Sequence, residues 1–166
     1  MPLAADDVCF MVCDSGVQHS LSGSEYPLRV AQCREAVAVI NKVGGRSVAA
    51  NSLRDVTIAE LDAAHASGDL NDLLYRRARH VVSENNRVIA SVAAMQDGDF
   101  VALGAAMNAS HASLRDDYSV SCEEVDNLVA VTAACPGVLG SRITGGGFGG
   151  CMCARVVSRW FCVRGS

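Results

Sequence analysis

A glycine run, GSRITGGGFGG from Gly140 to Gly150, holds the residues of this chain best suited to approach a ligand closely. Glycine has no Cβ, so its backbone amides can reach a phosphate, and it takes up positive φ at little cost. Gly145, Gly147 and Gly150 satisfy G-x-G-x-x-G, the spacing of a dinucleotide-binding loop. Such a loop must follow a strand and open a helix, with an acidic residue ~20 positions further on. Here the strand-like CMCARVV follows, and no acidic residue does. A Walker A loop is excluded, because Gly-Lys-Ser/Thr occurs nowhere in the chain. On spacing alone the run reads better as a tight turn between two strands than as a ligand loop.

Other reactive side chains are scattered. The eight cysteines include Cys9, Cys13, Cys151 and Cys153 in apolar strand-like runs, and no C-x-x-C occurs. Free buried thiols are the expectation rather than a disulfide framework or a zinc site. His111 falls on one helical stripe with Phe100, Leu103, Met107 and Leu114, the place of a packed histidine rather than a ligand. Arg76, Arg77, Arg79 and His80 form one basic cluster, expected on a solvated helix face. A net charge of −4 argues against a nucleic-acid surface.

These residues need elements to hold them. The run DDVCFMVCDS, Asp6 to Ser15, reads as a buried strand. Ser22 or Ser24 can cap the helix that follows, with Pro27 in its first turn and Gly44-Gly45 ending it. Thr57 to Glu60 fits a capping box opening a shorter helix closed by Ser67 to Asp69. A longer helix is expected from about Asn71 to Met95, broken at Gly98 and Asp99, with another after it. Ser121 and Glu124 fit a second capping box, opening a helix that stops before Pro136. GVLGSRI and GCMCARVV then flank the glycines as two strands. With 166 residues, half of them apolar, this predicts one α+β domain: strands at the ends, helices between. No apolar run reaches the ~18–20 residues of a membrane span, and Asp6 and Asp7 stand where a signal peptide wants positive charge, so a cytoplasmic protein is expected.

Three segments together resemble the galactokinases, of the GHMP small-molecule kinases: HSLSGSEYPLRVAQCREA (His19 to Ala36), SHASLRDDYSVSCEEVDNLV (Ser110 to Val129) and GVLGSRITGGGFGGC (Gly137 to Cys151). RRARHVVSEN is in keeping with them. The resemblance runs over about residues 7–154 and leaves 155–166 as a divergent tail. It implies the C-terminal domain of a GHMP kinase, a small ferredoxin-like sheet with several covering helices, truncated at its C-terminal end. It also implies ATP-dependent phosphorylation of galactose at C1 to galactose 1-phosphate, with ATP and Mg²⁺ as cofactors.

In that family the active site lies between two lobes. The phosphate loop, the metal ligands and the base belong to the first, which this chain does not match. The chain alone is therefore expected to be inactive, and a non-catalytic remnant or a sugar-sensing regulatory module is the alternative. By resemblance Tyr26 hydrogen-bonds galactose; otherwise it is a helix tyrosine packed on the strand. Ser141, Gly145, Gly146, Gly147 and Gly149 shape the nucleotide cleft. No residue is expected to be catalytic or to bind metal, and Asp14 is read as a turn residue rather than the base. Arg115, Asp116 and Asp117 are expected at a helix end in a solvated or capping role. Glu123 stands where relatives often carry proline. Expected partners are the sugar and a missing N-terminal lobe, with neither nucleic acid nor membrane.

Overall fold

A computed structural model describes residues 8–17 and 25–157. The expected caps Ser22 and Ser24, and the tail after Val157, lie outside the described residues. In chain order the elements are β1 (Val8–Asp14), α1 (Glu25–Val43), a 3₁₀ turn (Leu53–Asp55), α2 (Ile58–Ala66), α3 (Asp72–Asp97), α4 (Phe100–Asp116), α5 (Glu123–Ala133), β2 (Val138–Ile143) and β3 (Cys151–Val157). The α+β expectation holds: five helices accompany one small antiparallel sheet. The described residues form two compact units. One is helical, made of residues 25–86 with Asp116–Tyr118; the other comprises residues 8–17, 87–115 and 119–157 and contains the sheet.

In the helical unit, local signals set the helix bounds. Pro27 sits in the first turn of α1, where its missing N–H costs nothing. Thr57 caps α2: its hydroxyl accepts from the Glu60 amide at 3.3 Å, while the Glu60 carboxylate accepts from the Thr57 amide at 2.8 Å. Those bonds, with Arg46 beside it, hold the Glu60 carboxyl below its usual range. The core behind these helices gathers Ala36, Ile40, Leu53, Leu61, Leu70, Leu74, Ala78 and Val82.

The same unit overturns two expectations. Arg77 and His80 are buried, so only Arg76 and Arg79 of the basic cluster stand on an exposed face. Asp117 is buried as well, rather than solvated: it accepts from Arg79 Nη2 at 2.6 Å, and its carbonyl accepts from Arg77 Nη1. Arg29 Nε donates to the Tyr118 carbonyl at 2.7 Å, and His80 stacks on the Tyr118 ring with centroids 4.4 Å apart. Three arginines and a histidine thus secure the three-residue segment Asp116–Tyr118. Buried backbone carbonyls must find donors, and guanidinium groups supply several in a rigid fork.

In the sheet unit the strand order is β1-β3-β2, both pairs antiparallel. The central strand β3 buries Met152, Ala154 and Val156 against Val125 and Val129 of α5 and Ile143 of β2. Its Arg155 is 1% exposed, with its guanidinium carbon 4.0 Å from the Phe100 ring centre and 4.9 Å from that of Phe10. Aromatic faces attract a cation there, while burial pulls the Arg155 pKa down.

At α5 the capping expectation fails by one residue. Cys122 is the N-cap, without a side-chain cap bond, and the Ser121 hydroxyl donates to Asp126 Oδ1 at 2.6 Å. Glu123, Glu124 and Asp126 in the first turn instead place negative charge at the positive end of the helix dipole. The seven described cysteines are free thiols, mostly half-buried rather than buried, with Cys135 exposed.

Candidate functional site

The glycine segment connects β2 to β3, so the turn reading of its backbone is correct. Thr144 N donates to the Cys151 carbonyl at 2.9 Å and closes the base of the loop. Two anchors come from elsewhere in the same unit: Phe148 N donates to Val120 O at 2.6 Å, and Gly150 N donates to Val17 O at 3.0 Å. Ser15 N in turn donates to Gly150 O at 2.9 Å, tying the loop to the end of β1. Asp14 Oδ1 accepts from Gly16 N at 3.0 Å, which makes this aspartate the turn residue it was expected to be.

Gly147 has φ 87°, and a Cβ added there would fall far inside van der Waals contact with the Val120 carbonyl oxygen. Both the left-handed backbone and the close approach require glycine. Replacing Gly147 with alanine is expected to cost about 3 kcal/mol, the sum of strain and forced displacement. Urea denaturation measures it, and a cost below about 1 kcal/mol would mean the loop yields easily. Gly149 packs on Val17 in a similar way. Gly145 and Gly146 are different: an added Cβ at either meets nothing within 4 Å, so their backbone is approachable from outside.

Ser141 is fully buried. Its amide donates to Asn108 Oδ1 at 2.8 Å and its hydroxyl donates to Val129 O at 3.3 Å, so it ties β2 to α4 and α5. One position along the same face, Ile143 N donates to His111 Nδ1 at 3.4 Å, with Asp126 Oδ1 3.2 Å from His111 Nε2. His111 is thus the packed histidine its helical stripe predicts, and it holds the strand end from which the loop departs. The structure therefore brings together Gly145, Gly146, Gly147, Gly149 and Ser141, the first four on the loop and Ser141 in its support.

Tyr26 belongs to the helical unit, on the first turn of α1. It is 74% exposed, which leaves both ring and hydroxyl available. The residues that reading the sequence missed are Arg29 and Arg77, which hold the Asp116–Tyr118 segment inside the resemblance motif. For Arg77 a signal existed: it lies on the same helical stripe as Leu74, Ala78 and Val81. Among the described residues no cluster of three His, Cys, Asp or Glu side chains could hold a metal ion, and no helix is long and apolar enough to cross a membrane.

Residues 91–157 match the family described as GHMP kinases C terminal. The galactokinase of Homo sapiens is 46% identical over 155 residues, which cover 91% of this chain and 36% of that protein. That of Chloroflexus aurantiacus is 52% identical over 140 residues, covering 84% and 35%. Among solved structures, Lactococcus lactis galactokinase complexed with galactose superposes with a TM-score of 0.85 at 35% identity, over 95% of this chain and 39% of that one. The chain spans a little over a third of the length of the relatives it matches.

Proposed function

On the premise that this chain carries the C-terminal domain of a GHMP kinase of the galactokinase type, we propose that it serves a sugar kinase that transfers the γ-phosphoryl group of ATP to the C1 hydroxyl of galactose. The observation that carries this reading is the likeness to a galactose-complexed galactokinase over 95% of the chain. Tyr26 is the sugar-binding side chain: its exposed phenol offers one donor, one acceptor and an apolar face to a pyranose. Gly145 and Gly146 line the nucleotide side. Their open backbone lets a phosphate-bearing ligand approach more closely than any side chain would allow. Gly147 and Gly149, pinned on Val120 and Val17, hold that wall still.

The described residues fit the nucleotide's approach but offer no metal cluster, so magnesium is not assigned to them. Phosphoryl transfer depends on positioning and charge neutralisation: metal on the phosphates, donors around them, and a group orienting the acceptor hydroxyl. Beyond the glycine backbone, the described residues supply neither a metal cluster nor a group that activates the acceptor hydroxyl, so the 166-residue chain by itself is expected to show no turnover.

The test is a coupled ADP-release assay with galactose, run on the purified chain and on its mixture with a separately expressed N-terminal lobe of a galactokinase relative. The expected result is silence alone and galactose-dependent activity on mixing. In the mixture, Tyr26→Phe should raise the KM for galactose about tenfold, the cost of one hydrogen bond. Gly146→Ala, where φ is not positive and space is open, should impair ATP use without lowering the melting temperature. Turnover by the chain alone would overturn the inactivity; failure of every mixture would favour a non-catalytic, sugar-sensing role.

A further inference from the structure

The helical unit holds a cleft of about 460 Å³ that shares no residue with Tyr26 or the glycine loop. Val30, Val37, Leu53 and Val81 form its apolar wall. Arg34 of α1 and Arg54 of the 3₁₀ turn stand at its edge, both exposed, and neither side chain has a partner among the described residues. This sets them apart from Arg29, Arg46, Arg77 and Arg79, which are bound to carboxylates or backbone carbonyls. The amide of Asn85, half-buried, and the side chains of Asn51 and Ser52 add neutral polar groups. The nearby Asp55 carboxylate is engaged by the amides of Asn51 and Ser52 at 2.9 and 3.1 Å, a capping role. Cys33 and Tyr118 add neutral lining as well, with Cys33 Sγ 3.8 Å from Tyr118 Oη.

Two uncommitted guanidinium groups beside an apolar wall, in a chain of net charge −4, select a ligand with a compact double negative charge and an apolar body. The volume is that of a small-molecule site. We propose that this cleft binds a small phosphate monoester, with the phosphate held between Arg34 and Arg54 and the organic group lying against Val30, Val37, Leu53 and Val81. The inference does not depend on galactose phosphorylation, and its test contains neither galactose nor ATP.

Phenyl phosphate is the probe, titrated into the full chain by calorimetry beside inorganic phosphate, benzoate and phenol. Saturable binding of phenyl phosphate is expected, at least tenfold tighter than any of the other three. Arg34→Ala and Arg54→Ala should each weaken it about tenfold. Both sites are exposed, so melting temperatures should not move. A second readout needs no variant: bound phenyl phosphate should slow alkylation of Cys33 in the wild-type chain, followed by mass spectrometry. Equal binding of inorganic phosphate would remove the apolar half of the proposal, and equal binding of benzoate the phosphate half. Binding that survives both arginine substitutions, or leaves Cys33 alkylation unchanged, would overturn the site itself.

Discussion

Gly140→Ala is expected to destabilise the chain by about 3 kcal/mol or more. A Cβ at Gly140 would fall deep inside van der Waals contact with the carbonyl oxygen of Gly104, and one at Gly104 would strike the carbonyl oxygen of Leu139. Neither residue has a positive φ, so the requirement is for space alone. Helix α4 and strand β2 meet here backbone to backbone, at the irregularity in register between Val138 and Gly140. Nothing flexible is available to yield: the nearest obstacles are main-chain atoms, and separating the two elements would strain the bonds that the Ser141 and Ile143 amides donate to Asn108 and His111. Urea denaturation of both single variants and the double variant measures the effect. The two substitutions open the same contact, so the double should cost far less than their sum. Additivity, or a single-variant cost under 0.5 kcal/mol by the usual resolution of such cycles, would mean that helix and strand are not pressed together here.

Arg77→Ala should cost a similar amount, about 3 kcal/mol, for a different reason. Arg77 Nη1 donates to the Asp117 carbonyl and Nε to Gln32 Oε1 at 3.2 Å. Burial, followed by the charges of Arg29 and Arg76, pulls the Arg77 pKa down, so its charge is held at a desolvation cost that these acceptors offset. Truncation leaves a buried carbonyl short of its donor and opens a void. Arg77→Lys should not rescue, because an ammonium group cannot reproduce the fork.

Tyr118 supplies a second readout. Burial, then Cys33, pushes its phenol up to about 12. Loss of the Arg77 charge alone would push the phenol higher still. A titration that instead falls toward 10 in the variant would report that Asp116–Tyr118 has come loose into water. Unchanged stability with an unchanged phenol would show that Arg29 and Arg79 suffice to hold the segment.

The segments whose structure is local were legible in the residues. Pro27, the Thr57–Glu60 pair and the Gly98 break each act within one turn of backbone, and the helices begin and end at or near them. The His111 stripe was legible because a 3.6-residue period reports one buried face. Arg77 and His80 obey the same period, yet their charge suggested solvent; burial of a cation is decided by what lies opposite, and Asp117 is 40 positions away. Ser121 looked like a cap because a Ser-x-x-Glu spacing suits one, but its hydroxyl found Asp126 instead.

The amino-acid sequence by itself determined the periodic elements, the α+β class and the motifs that relate this chain to galactokinases, because these depend on neighbours a few positions apart. Only the tertiary structure decided which glycines of the loop are pinned and which are open. It alone decided which arginines are committed and which stand free beside a cleft. Those outcomes depend on atoms brought together from distant parts of the chain, such as Val120 against Gly147 or Gly104 against Gly140, and no spacing along the chain encodes such a distance.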